Sequence, residues 1–150
     1  MSVQIRPIQK TDEPAWRELW TGYLQFYNST VAEAVYSSTF ERFFADGANE
    51  PRCLVAESDR RMVGIVHYMT HRHCWKLGDV CYLQDLFVAP DLRGTGAGRA
   101  LIEAVYAEAD RHGWENVYWN TQHFNEVGRR LYDRVGELTA FIKYQRPSGA

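Results

Sequence analysis

No apolar run in this 150-residue sequence approaches the length of a membrane span, so no membrane partner is expected. An excess of one charge is missing too. Seventeen Lys and Arg stand against nineteen Asp and Glu, for a net charge of −2. That balance predicts no nonspecific attraction to nucleic acid or to an anionic surface. Cysteine is scarce. Cys53, Cys74 and Cys81 form neither a CxxC pair nor an even framework, which excludes a disulfide scaffold and fits reduced thiols in a cytoplasm. The opening MSVQIRPIQKTDE lacks a basic region followed by an apolar one, so no signal peptide is expected. Repeats, low-complexity tracts and linkers are absent, and one domain over residues 1–150 is the expectation.

What is present is an ordinary balance of 45% hydrophobic and 24% charged residues, with aromatics high at 14%. Many aromatics must be core; some are free to line a pocket. Val3 to Ile8 reads as a strand. Thr11 caps a helix to about Asn28, with Trp16, Leu19, Trp20, Tyr23 and Leu24 at helical spacing. A second helix is expected over Val31 to Ala45. Cys53 to Glu57 and Met62 to Thr70 form a hairpin about the turn SDRR, and Val80 to Val88 is a further strand. Ala97 to Arg111 carries the apolar stripe Leu101, Ile102, Val105, Tyr106, Ala109, with Gly113 as its stop. Asn116 to Thr121 reads as a strand, Asn125 to Arg134 as a helix and Leu138 to Gln145 as a last strand. The order β-α-α-β-β-β-α-β-α-β mixes hairpins with crossovers. It predicts an α/β (mixed α+β) fold: a mixed, mostly antiparallel sheet with helices on both faces.

One stretch asks for a chemical explanation: LFVAPDLRGTGAGRALI, residues 86–102. A strand passes to a helix through Arg93 and three glycines on alternate positions. The first N–H groups of a helix lack intrahelical partners and lie at its positive end, so they bind anions. Glycine admits the unusual dihedrals and lets a phosphate approach. RGTGAGR, residues 93–99, therefore reads as a pyrophosphate cradle, or else as a plain flexible turn. It is not a Walker loop, because Gly98 is followed by Arg99 and Ala100. It is not the dinucleotide fingerprint either, because the spacing is GxGxG and Tyr118 stands near the place of the acidic residue.

The chain resembles the GNAT superfamily of acetyl-CoA-dependent N-acetyltransferases. The likeness rests on Arg93, Gly96 and Gly98 after the strand CYLQDLFV. It rests also on FNEVGRRLYDRVG, where Asn125 and Tyr132 stand seven apart, and on the element order. GAGRALIEAVYAEADRHGWENVYWNTQ and FIKYQR look like the yeast histone-and-other-protein acetyltransferases; the spermidine/spermine acetyltransferases look similar as well. The resemblance implies the GNAT acyl-CoA N-acyltransferase fold and acetyl-CoA as cosubstrate, with no metal. Gly94, Thr95, Gly96, Ala97, Gly98 and Arg99 would bind the pyrophosphate with Arg93. Leu86, Phe87 and Val88 would pair with the pantetheine arm, one of their N–H groups polarising the thioester carbonyl, and Asn125 would bond that arm. Tyr132 would be the general acid that protonates the departing thiolate; its other reading is a packed aromatic with its hydroxyl bonded to a carbonyl.

The base is harder to assign. A free alkylamine, with a pKa near ~10.4, must lose a proton before it attacks. Polyamine-type relatives carry a glutamate where this sequence has Gln84, and an amide is no base. Asp85 is adjacent, but strand neighbours point to opposite faces unless a bulge intervenes, as is usual in the family here. Proton loss through water, with Asp85 as a minor helper or a purely structural carboxylate, is the expectation. Gln84 and Tyr27 are expected at the acceptor. Tyr23, Phe26, Tyr27 and Tyr36 stand at the junction of the first two helices, which overhangs the acceptor site in this fold; they read first as packing of the two helices on the sheet and otherwise as an aromatic wall of the acceptor pocket, and Glu33 as a cation partner or a solvated helix face. Arg129 and Arg130 are expected near a CoA phosphate or on the plain surface. His71, His73 and Cys74, with Cys81, lack the paired spacings of a structural zinc site. The apolar last strand, TAFIKYQR, invites pairing with a second chain, so a homodimer is expected.

The reading is an N-acetyltransferase acting by direct transfer in a ternary complex. Its acceptor is a primary amine: a polyamine, a small amine or amino acid, or a protein lysine. The alternative is a noncatalytic acyl-CoA-binding or sensory domain of the same fold.

Overall fold

The computed structural model describes residues 2–149. The chain divides into two compact units, one ending at Asn120 and one beginning at Thr121. The first holds β1 (Gln4–Pro7), α1 (Glu13–Phe26), α2 (Glu33–Arg42), β2 (Arg52–Ser58), β3 (Arg61–His71), β4 (Val80–Val88), α3 (Ala97–His112) and β5 (Val117–Tyr118). The strands lie in the order β1-β2-β3-β4-β5. Neighbours are antiparallel except β4 and β5, which run parallel. Asp59 and Arg60, both with positive φ (50° and 65°), make the tight β2–β3 hairpin, since a two-residue turn of that hand matches the twist of its strands. The mixed, mostly antiparallel sheet expected from the element order is present.

Period-two alternation gives the sheet two apolar faces. Cys53, Val55, Ile65 and Phe87 point to one face and pack against Trp16, Leu19, Trp20 and Leu24 of α1 and the adjoining Phe40 and Phe43. On the other face Leu101 of α3 reaches Gly64, and Leu101, Ile102 and Val105 are wholly buried. Burying each such aliphatic side chain contributes about 1.5–3 kcal/mol.

Some boundaries differ from expectation. Asp12, not Thr11, precedes α1, and Pro14 sits in its first turn, where a missing N–H costs nothing. Asp12 is instead held by Arg6 at 2.8 Å and by the Gln9 N–H at 2.7 Å. The second helix starts at Glu33 and stops at Arg42. The strand expected over Asn116 to Thr121 is only Val117–Tyr118.

The second unit holds α4 (Glu126–Val135), capped by Asn125. The strand expected over Leu138 to Gln145 does not form; the sheet ends at β5. Apolar residues on alternate positions make a strand only when a neighbour supplies its ladder. Here Phe141, Ile142 and Tyr144 are 80–88% exposed. Among the described residues, no helix is long and apolar enough to cross a membrane.

Candidate active site

The chemistry converges on β4. Its register against β3 slips by one residue: His67 faces Asp85, but the next residue, Tyr68, faces Leu83. Gln84 is therefore the extra residue of a β-bulge. Two hydrogen bonds show the consequence. Before the bulge, the Cys81 N–H donates to the Asn116 carbonyl, beside β5, at 2.8 Å. After it, the Ala89 N–H donates to the Val63 carbonyl of β3, also at 2.8 Å. The bulge has reversed which alternate residues face which neighbour. β5 pairs only with Cys81 and Tyr82. Past that point the β5-side edge of β4 has no strand partner among the described residues, and the main-chain groups of Leu86 and Val88 face it. The backbone of Phe87 faces β3 opposite Ile65, and its ring lies under Gly22 of α1.

The glycine turn follows. Gly94 and Gly96 have φ of 83° and 90°, the left-handed region that disfavours a side chain, and a Cβ on either would meet nothing within 4 Å. Thr95 Oγ1 donates to the Leu92 carbonyl at 2.6 Å, which holds the turn closed. Among the described residues, the N–H groups of Gly94, Thr95 and Gly96 donate to no protein acceptor. α3 begins at Ala97, so the first N–H groups of that helix join them. This exposed row of donors fits a diphosphate. Arg93 donates through Nε to the Val88 carbonyl at 3.4 Å, with its guanidinium 5.6 Å from the Phe87 ring centroid and 6.0 Å from that of Phe26. Arg99 pairs with Glu103 at 2.5 Å and lies along the outside of α3.

On the α1 face of the bulge lies a cavity of about 650 Å³. Asp85, Gln84, His67, Tyr23, Tyr27 and Trp20 are among its walls; Arg42 and Glu50 line it as well. Asp85 is buried, at 7% exposure, whereas Gln84 is exposed. The bulge thus brings both neighbours to one cavity, which regular alternation forbids. Asp85 Oδ2 lies 2.7 Å from His67 Nδ1. His67 Nε2 in turn accepts the indole N–H of Trp16 at 2.9 Å. The Tyr23 phenol lies near Asp85; burial first, then that carboxylate, pushes the phenol well above its usual range. Tyr23 therefore stays a donor. Trp20 Nε1, also buried, has no partner among the described residues. No sequence motif marks Trp16 or His67. The available signs are a polar residue in the apolar run MVGIVHYMT and the alternation that sets it on the α1 face with Ile65.

The other candidates fall elsewhere. Tyr36 packs on Trp16 and Trp20 and bonds Thr21 Oγ1 at 2.6 Å, so it belongs to the core between the helices. Glu33 pairs with Arg17 at 2.7 Å, as a solvated helix face would. His71 donates through Nδ1 to the Arg72 carbonyl and accepts the Tyr118 hydroxyl, while His73 accepts the Trp75 N–H. Among the described residues, no group of three His, Cys, Asp or Glu is arranged to hold a metal. Burial lifts the Cys81 thiol to about 12 and pushes Cys53 well up, so neither is a ready nucleophile. In the second unit, Asn125 accepts the Gly128 N–H at 3.2 Å and donates to Thr121 Oγ1 at 3.0 Å, a helix cap. Tyr132 is half-buried on α4. Arg129 donates to the His123 carbonyl, and Arg130 is exposed.

An open-edged strand, a donor-lined glycine turn and an acid-walled cavity on one sheet define an acyl-transfer protein. The chain belongs to the Acetyltransferase (GNAT) family, whose description matches residues 13–136. It is an acetyltransferase by that membership. It is 34% identical over 145 residues to the D-amino-acid N-acetyltransferase HPA3 of Saccharomyces cerevisiae, covering 96% of this chain and 90% of that one. It is 28% identical over 148 residues to the uncharacterized N-acetyltransferase YhfO of Bacillus subtilis, covering 95% of each. Among solved structures it resembles the aminoglycoside acetyltransferase AAC(6')-Iy with a CoA bisubstrate analogue (TM-score 0.82, 20% identity, 98% and 99% of the two chains). It resembles also a ribosomal-protein-alanine N-acetyltransferase from Brucella melitensis (TM-score 0.80, 20% identity, 98% and 99%).

Proposed function

We propose that this chain moves the acetyl group of acetyl-CoA directly to the amino group of a free amino acid, D-configured as for the yeast relative. The observation that carries the reading is the bulge at Gln84, which sets the buried Asp85 carboxylate in a cavity next to an open strand edge. Asp85 accepts the proton that the amine must lose, a larger role than its sequence position alone suggests. Gln84 and Tyr27 contact the acceptor. Arg42, whose guanidinium has no partner among the described residues, and the unpartnered Trp20 N–H are donors suited to the carboxylate of the same molecule. A polyamine or a lysine side chain uses neither donor.

On the donor side, Leu86 and Val88 supply main-chain groups for the pantetheine arm, and one of their N–H groups polarises the carbonyl. The turn from Gly94 to Arg99 holds the diphosphate. Acetyl-CoA, when bound, supplies the electrophilic carbonyl and the leaving thiolate. Tyr132 keeps the acid role and Asn125 the pantetheine contact that the family likeness assigns them. Thiol release from acetyl-CoA across D- and L-amino acids, polyamines and histone-tail peptides tests the reading. Turnover confined to amino acids is expected. Acetyl-CoA binding without turnover on any amine overturns it.

A further inference from the structure

We propose that His67 is a positioning residue that fixes the Asp85 carboxylate for proton removal, and that Trp16 fixes His67. The inference rests on the reading of Asp85 as the proton acceptor.

An indole N–H can only donate. The Trp16 N–H takes His67 Nε2 as its acceptor at 2.9 Å. A neutral imidazole in that place carries its proton on Nδ1, aimed at Asp85 Oδ2 at 2.7 Å. Trp16 is 0% and His67 2% exposed, so water competes for neither bond. The ring cannot swing away. Trp16, Trp20 and Phe43 surround it at centroid distances of 6.0, 5.6 and 5.0 Å.

The arrangement looks like a proton relay and is not one. Beyond His67 Nε2 stands a donor that never gives up its proton, so the path ends inside the core. A proton taken by Asp85 must leave through the cavity. His67 therefore orients a base without being one. Asp85 is bonded by His67 from β3, and the Tyr23 phenol of α1 lies near it. Tyr27 at the end of α1, Tyr82 of β4 and Cys53 of β2 are further titratable groups near this centre, with Arg42 and Glu50 along the cavity. A carboxylate has about four acceptor sites. His67 occupies one of them, which leaves capacity for the substrate ammonium.

Four substitutions and one spectrum test this. In His67→Asn the amide nitrogen falls near the Nδ1 position, whereas His67→Leu has no donor. His67→Leu is expected to lower kcat by about a hundredfold, with KM for acetyl-CoA unchanged. It is expected to move the acid limb of kcat/KM toward alkaline pH, because a lost donor makes the carboxyl harder to ionise. Trp16→Phe should act in the same direction, and His67→Asn should restore most of the loss. Nitrogen NMR of the wild-type protein at neutral pH should show His67 protonated at Nδ1 and bare at Nε2, which needs no variant to fold. A proton on Nε2, or an unmoved acid limb in both His67→Leu and Trp16→Phe, overturns the positioning role. If Asp85→Asn abolishes turnover while those two variants keep the wild-type profile, the base reading stands and only this inference falls. If Asp85→Asn keeps full activity, both fall.

Discussion

His67 and Asp85 are partners twice over: they face each other in the β3–β4 register, and their side chains meet at 2.7 Å. Gln84, one residue earlier, has no register partner at all. The difference separates their expected contributions. Asp85→Asn should lower kcat/KM by about 10²–10⁴-fold, the range of a lost general base. Gln84→Ala, at an exposed bulge position, should change it by less than about tenfold, through acceptor KM. Steady-state kinetics over a pH series measure both; equal effects would count against the assignment.

Tyr132 is tested by removing one atom. Tyr132→Phe keeps the ring in α4 and deletes the proton. A fall in kcat by about an order of magnitude or more, with acetyl-CoA affinity retained, is expected of a lost acid. Calorimetric titration with acetyl-CoA beside turnover separates the two quantities. An unchanged kcat removes Tyr132 from the chemistry.

The glycine turn makes a binding prediction. Gly96 has φ 90°, where an L side chain costs about 1–2 kcal/mol, and the space around it is empty. Gly96→Ala should therefore lower stability modestly and weaken acetyl-CoA binding more, because the added methyl stands where a phosphate must approach. Thermal melts with and without acetyl-CoA read both. Full retention of the ligand-induced shift would show that the turn is only a turn.

The strand-turn-helix at residues 86–102 was legible because its requirement is local: dihedrals, helix-end donors and spacing are all written in adjacent residues. The hairpin at Asp59 and Arg60 was legible for the same reason. The Trp16–His67–Asp85 line was not. Trp16 and His67 are 51 positions apart, and their meeting depends on how α1 lies on β3. The bulge at Gln84 depends on a register that alternation alone does not reveal. Leu138 to Gln145 failed in the opposite sense: its residues have the pattern of a strand, but a strand also needs a neighbour.

That segment carries the prediction of a homodimer. Leu138, Phe141, Ile142 and Tyr144 are 78–88% exposed, and apolar side chains left in water invite a partner. Light scattering should give a dimer mass for the wild-type chain and a monomer mass for Phe141→Asp with Ile142→Asp. A concentration-independent monomer in the wild type refutes it.

The Arg6–Asp12–Glu57 group gives a stability prediction with a definite sign. Arg6 bonds Asp12 at 2.8 Å and Glu57 at 3.0 Å, joining β1, the approach to α1 and β2. The Arg6 guanidinium, helped by the Gln9 N–H, holds the Asp12 carboxyl below its usual range. The folded chain therefore binds the Asp12 proton more weakly than the unfolded chain does. The stabilisation is complete above the ordinary aspartate pKa and is lost as pH falls through the lower folded value. Asp12→Asn should cost about 1–3 kcal/mol at neutral pH, the scale of a charge-assisted bond, and far less in strong acid, where the wild type has lost the same bond. Urea unfolding midpoints for both proteins across that acid range should converge. Midpoints that stay parallel would mean that Asp12 gains nothing from its charge.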